Sequence, residues 1–210
     1  MIRLRVSDLD AWVGFVEPER PEFEKPTEDF LAYLRREEPP TEAMKAGIAL
    51  HSLLETAEIG EEFGDDGVEQ DGFLFIFYAD CELELPMERE PEVMEWVIDT
   101  PSGLVLLRGR IDSRDATGLV TDYKLTARFD AERYGRSLQW KAYLAMTGER
   151  SFRYLVFEAK RRDDMVAIKD IHDLTFHRYS GMEEEVARRV AELAAFVAEH
   201  VPSLVTQEAA

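Results

Sequence analysis

The 210-residue sequence predicts an α/β or α+β fold, and three observations carry that reading. Helix signals cluster at the two ends and in one stretch after residue 130. Alternating or continuous apolar runs, punctuated by Gly and Pro, fill much of the middle. The resulting order is helices, a β-meander, then helix, strands and helix, with no internal repeat. A hydrophobic fraction of 45% with 10% aromatics excludes a wholly disordered chain.

Each element has its own signal. Ser7 reads as the N-cap of a short helix over 8–15. Residues 17–26 are rich in Pro and Glu and read as a loop. Thr27 caps a helix over 28–37, which Pro39 and Pro40 stop. Thr41 opens a longer helix to about residue 59, with Gly60 as its stop signal. The acidic, Gly-containing stretch 61–72 reads as a loop. Strands are expected over 73–79, 82–85 and 93–99, then over 104–113 and 119–125 as a hairpin pair. Asp130 caps a helix ending near Gly148. Residues 152–158 and 165–171 return to strand. Ser180 and Glu183 form a capping box before Val186, Val190, Leu193 and Val197, the apolar stripe of a last helix over about 181–200.

Composition narrows the functional classes. The single cysteine, Cys81, excludes an intramolecular disulfide, a Cys-based zinc site and a four-cysteine iron–sulfur cluster. No apolar run approaches the ~18–20 residues of a membrane span, and the opening Met-Ile-Arg-Leu-Arg is no signal peptide. The expectation is a cytoplasmic protein with no membrane partner. The net charge of −19 argues at first against nucleic acid. Its distribution argues otherwise. Residues 103–162 hold 13 Lys/Arg against 7 Asp/Glu, a net of +6, leaving 12 against 37, or −25, elsewhere. An ordinary middle segment within a solvated acidic surface gives the same pattern.

The chemistry concentrates between residues 109 and 124. Ala116-Thr117-Gly118 suits a three-residue hairpin turn with Gly118 left-handed. Residue 115 then pairs with 119, and Asp112 lies across from Asp122. Cross-strand Cβ atoms are ~4.5–5.5 Å apart, and Lys124 shares the face of Asp122. Two such carboxylates repel unless neutralised, and a hard divalent cation does this well. A surface hairpin with an Asp–Lys pair is the plain alternative.

Two helices add partners. Gly47 and His51 share a face at i, i+4, with Glu55 four residues on. A glycine inside a helix costs ~1 kcal/mol against Ala, which close approach of a ligand or strand explains. His51 is a candidate metal ligand or a core histidine, and Glu55 orients it, holds a water, or faces solvent. After Lys124, Gln139 and Tyr143 lie at i, i+4, with Arg136 one turn earlier. That face offers amide, phenol and guanidinium to phosphate, or is the outer side of a helix packed through Trp140 and Leu144.

Taken together, these motifs resemble the PD-(D/E)XK nuclease superfamily, in its RecB-type exonuclease branch. Gly47-Ile-Ala-Leu-His51 resembles the branch's G-x-x-x-H motif, Gly109-Arg-Ile-Asp112 its G-x-x-D, Asp122-Tyr-Lys124 its D/E-x-K, and Gln139-Trp-Lys-Ala-Tyr143 its Q-x-x-x-Y. Ser7-Asp-Leu-Asp-Ala-Trp12 is a faint likeness to its N-terminal segment. The resemblance implies a restriction-endonuclease-like mixed central sheet flanked by helices. It implies one domain over 1–210, with a helical segment 1–46 and a motif core 47–143. His51, Asp112, Asp122 and the Tyr123 carbonyl would hold Mg²⁺ or Mn²⁺. Asp112, Asp122 and Lys124 would be catalytic, Glu55 would support the ligands, and Arg136, Gln139, Tyr143, Arg110 and Arg108 would meet phosphate. Related members carry an iron–sulfur cluster that this chain has too few cysteines to form. The implied partner is double- or single-stranded DNA, cut by an exonuclease of recombination, repair or processing. A recombination, annealing or replication protein, or further copies of the chain, are implied associates. Two rival classes stay open: a catalytically silent nucleic-acid-binding or assembly module of the same fold, and an acidic protein mimicking DNA.

Overall fold

The computed structural model describes residues 1–18, 26–57, 63–64, 66–78 and 92–205. Among these the strands fall into two sheets. β1 (Ile2–Arg5), β4 (Glu92–Thr100) and β5 (Gly103–Ile111) make one, with β5 central, parallel to β1 and antiparallel to β4. The other contains β2 (Val68–Gln70), β3 (Phe73–Phe77), β6 (Ser113–Arg114), β7 (Leu119–Thr126), β8 (Ser151–Arg162) and β9 (Met165–His177). Its order is β2-β3-β9-β8-β7-β6, with β3/β9 and β7/β8 parallel and the other neighbours antiparallel. The chain crosses between the sheets at Asp112.

Helices cover both faces of the larger sheet. These are α1 (Val6–Val16), α2 (Thr27–Arg35), α3 (Glu42–Thr56), α4 (Ala131–Arg136), α5 (Leu138–Thr147) and α6 (Met182–His200). β8 shows why. Phe152, Tyr154 and Val156 join one core with α1, α5 and α6, while Leu155, Phe157 and Ala159 join a second core with α3. A strand apolar on both faces needs cover on both. The stripe of α6 is fully buried: Met182, Val186, Val190, Leu193 and Val197 are each 0% exposed. Burying a side chain of this size contributes about 1.5–3 kcal/mol.

Several expectations need correction. Residues 2–5 form a strand, and α1 follows without a loop, so Ser7 lies inside the first turn. The helix is capped at Arg5, whose N–H donates to the buried Asp8 carboxylate at 2.8 Å. Residues 104–113 and 119–125 are not one long hairpin. β5 pairs with β1 and β4, and only the two residues of β6 pair with β7. Asp130 does cap a helix, accepting from Glu132 and Arg133 N–H groups, but the helix breaks at Ser137, where the backbone turns extended (φ −55°, ψ 137°). At α6 the capping box is absent: left-handed Gly181 is the cap, and Glu183 pairs with Arg178 instead. Within the acidic stretch 61–72, residues 68–70 are strand. α3 ends at Thr56, capped at its start by the Thr41 hydroxyl accepting from Met44 N–H. The expected strand 82–85, Gly60 and Cys81 lie outside the described residues.

Candidate metal centre

Asp112 sits where β5 gives way to β6. The turn at 115–119 forms as its sequence requires, with Gly118 at φ 83° and Asp115 N–H donating to the Leu119 carbonyl. The ladder then runs Arg114↔Val120 and Ser113↔Thr121 and stops. One step further, in the same register, Asp112 faces Asp122. No backbone continues the ladder, so the carboxylate takes its place: Tyr123 N–H donates to Asp112 Oδ2 at 2.7 Å. A strand residue's N–H and C=O leave on the same side, so the Tyr123 carbonyl faces this edge too.

From α3, His51 Nδ1 lies 3.0 Å from Asp112 Oδ1. One ligand atom each from His51, Glu55 and Asp112 falls within 4.8 Å of the others. Glu55 also accepts from Arg110 Nη2 at 2.8 Å. Glu55 thus stands within the cluster itself, not only behind it. Gly47 answers to no close strand: a Cβ there would meet nothing within 4 Å.

On the other side of β7, Lys124 Nζ pairs with Asp122 Oδ2 at 2.5 Å, and Gln139 Nε2 donates to Asp122 Oδ1 at 3.0 Å. Tyr143, only 4% exposed, donates its hydroxyl to the Arg110 carbonyl at 2.7 Å. Gln139 and Tyr143 therefore brace the carboxylate strands instead of presenting bare donors outward. Gly109 makes this possible, because a Cβ there would stand 2.5 Å from Tyr143 Cε1. Arg136 is exposed at the end of α4, on the far side of the Ser137 break, so it does not share the α5 face. Arg108 is exposed on β5, with Glu95 3.8 Å away.

Sequence reasoning missed Asp10. Its carboxylate accepts from Ser137 Oγ and from Leu138 N–H, each at 2.6 Å, and so anchors the start of α5. Tyr154 OH lies 3.2 Å from the same Ser137 hydroxyl. Only the faint likeness at 7–12 drew attention to that segment, and nothing local marks residue 10 as a partner of residue 137.

The electrostatics follow from burial. Asp112 and Asp122 are 4% and 2% exposed. Desolvation pushes the Asp122 pKa up to about 6; Lys124 pulls it down and Asp112 raises it further. Burial alone would lower His51, but its hydrogen bond to Asp112 and that carboxylate's charge outweigh it and raise the pKa. Lys124 is likewise lowered by burial and raised, on balance, by Asp122. Burial also raises Asp10 and Tyr143, the latter with help from the Asp122 charge. An imidazole nitrogen, carboxylate oxygens and a backbone carbonyl suit Mg²⁺ or Mn²⁺. The mutual repulsion of Asp112 and Asp122 is what a divalent cation relieves. The residues fit the ion.

No protein-family model matches the chain, and no curated protein matches it. Solved structures do. SSO0001 aligns with 98% of this chain and 86% of its own, at TM-score 0.52 and 13% identity. A Eubacterium rectale protein described as an exonuclease aligns with 97% of this chain and 83% of its own, at TM-score 0.53 and 15% identity. At these identities the likeness is one of fold. Among the described residues, no helix is long and apolar enough to cross a membrane.

Proposed function

We propose that the chain is a single divalent-metal-dependent nuclease domain that hydrolyses DNA phosphodiester bonds, acting as an exonuclease in recombination, repair or processing. The observation that supports this most strongly is the cluster of His51, Glu55 and Asp112 ligand atoms within 4.8 Å, with buried Asp122 and its ion-paired Lys124 beside it, close enough for the two aspartates to repel. In this reading His51, Glu55, Asp112, Asp122 and the Tyr123 carbonyl hold Mg²⁺ or Mn²⁺. A cation there acidifies water and neutralises phosphate charge.

The remaining roles belong to the chain's own groups. Lys124, kept protonated by Asp122, directs its charge at the phosphate and stabilises charge developing on phosphorus. Gln139 fixes the Asp122 carboxylate, and Tyr143 fixes the backbone at Arg110, two residues before Asp112. Asp10 and Ser137 hold the α5 terminus that carries Gln139. Arg110, with its side chain 55% exposed, meets phosphate. Arg136 adds a contact from the neighbouring short helix.

The test is incubation of end-labelled linear, circular and single-stranded DNA with Mg²⁺, Mn²⁺ or EDTA. Metal-dependent loss of linear substrate is expected, absent in Asp112→Asn and Asp122→Asn proteins that remain folded. Cleavage unchanged in either variant, or in EDTA, overturns the assignment.

A further inference from the structure

The outer face of the three-stranded sheet carries a row of arginines that leads away from the carboxylate site. β1 alternates buried Ile2 and Leu4 with exposed Arg3 and Arg5. The parallel register sets Arg5 beside Arg108 and Arg3 beside Leu106. Two residues further along β5 from Arg108, Arg110 stands next to Glu55 at the site itself. Side chains at alternate positions share a face about 6.6 Å apart, and neighbouring strands lie about 4.8 Å apart. The row Arg110, Arg108 with Arg5, then Arg3 thus spans about 13 Å across two strands.

This is unusual ground on a chain of net charge −19. The acidic residues of this face, Glu95 and Asp99, stand on β4, opposite Arg108 and Leu104; β1 and β5 present none to it. Among the described residues, no carboxylate is ion-paired with the Arg3 or Arg5 guanidinium; the Asp8 carboxylate meets Arg5 only at its backbone N–H and pairs with Arg36. Between and beside the arginines lie exposed Val97 and Leu104 and half-buried Leu106.

Resting on the nuclease reading above, we infer that this face is the track for an unpaired DNA strand running to or from the carboxylate site. Charge complementarity selects a polyanion, and the row's start at Arg110 joins it to the site. The apolar side chains select a single strand, whose sugar and base faces are open, over a duplex that hides them. The face has no aromatic residue at these positions, so its grip is on the backbone and indifferent to sequence.

The experiment uses the full chain in EDTA, so that binding is read without cleavage. Fluorescence anisotropy of a labelled single-stranded oligonucleotide is followed across a salt series for wild type, the Arg3→Gln/Arg5→Gln double variant, and Arg188→Gln as a remote control. Single-strand contacts each contribute about 0.7 to the slope of log K against log salt. The double variant is expected to lose about 1.4 from that slope, with Arg188→Gln unchanged and a blunt duplex much less affected. Circular dichroism checks the fold. Equal slopes for wild type and double variant overturn the track, as does an equal loss on the duplex or no single-strand binding by the wild type. The nuclease reading is judged separately by Asp112→Asn cleavage, so an intact slope with metal-dependent cleavage removes the track alone.

Discussion

Gly109→Ala adds one methyl group at the point where two sequence motifs touch. Its Cβ would stand 2.5 Å from Tyr143 Cε1 and 2.8 Å from Val6 Cγ2, against an ordinary carbon contact of about 3.5–4.0 Å. The φ of Gly109 is not positive, so the penalty is steric. The Tyr143 ring has little room to retreat, since Phe152 stacks on it with centroids 6.1 Å apart. Overpacking of this kind costs roughly 1–3 kcal/mol, and displacing the hydroxyl from the Arg110 carbonyl costs about 1 more. Ala's advantage over Gly in regular structure returns roughly 0.5–1 kcal/mol. The net expectation is a loss of about 1–3.5 kcal/mol in urea denaturation. Removing the ring should relieve part of the clash, so in a Tyr143→Leu background the cost of Gly109→Ala should fall by at least about 1 kcal/mol. A variant within about 0.5 kcal/mol of wild type, or strict additivity with Tyr143→Leu, refutes the contact as the reason for this glycine.

The remaining expectations concern charge and space at the site. In EDTA, Asp122 binds its proton more tightly folded (pKa about 6) than unfolded, so its stabilising contribution is complete below about pH 4 and lost as pH rises through about 6. His51, also raised, acts in the same direction at and above its ordinary range. The loss from Asp122 is up to about 3 kcal/mol; urea midpoints from pH 4 to 8 should show it, and a step as large in Asp122→Asn would contradict the assignment. Gln139→Ala should weaken Mn²⁺ binding and cleavage together, each roughly 10–100-fold, because its amide holds Asp122; calorimetry showing intact affinity would return Gln139 to a pure phosphate contact. Gly47→Ala should stabilise the protein by about 1 kcal/mol in thermal melts, since its Cβ meets open space. A loss of stability there would mean the space is filled.

What the sequence made legible was local. The turn at 116–118 sets the Asp112–Asp122 register because three residues and one left-handed glycine determine it. The spacing of Gln139 and Tyr143 puts them on one helical face, although their targets, Asp122 and the Arg110 carbonyl, had to come from packing. The strand pattern does not mark the passage from β5 to β6, because periodicity persists through Asp112, where the chain changes sheet. The break at Ser137 was hidden for a similar reason: both flanking segments favour helix, and the carboxylate that organises the break comes from Asp10, 127 residues away. β1 carries almost no sequence signal, because its four residues run straight into a helix. Its meaning lies in a parallel pairing with a strand some hundred residues later.

Calorimetric titration of Mn²⁺ into the metal-free protein tests the central claim most directly. The account predicts saturable binding with proton release below about pH 6 as Asp122 ionises, abolished by Asp112→Asn and weakened by His51→Ala in proteins that remain folded. Absence of Mn²⁺ binding by the wild type, or undiminished affinity in Asp112→Asn, would contradict it.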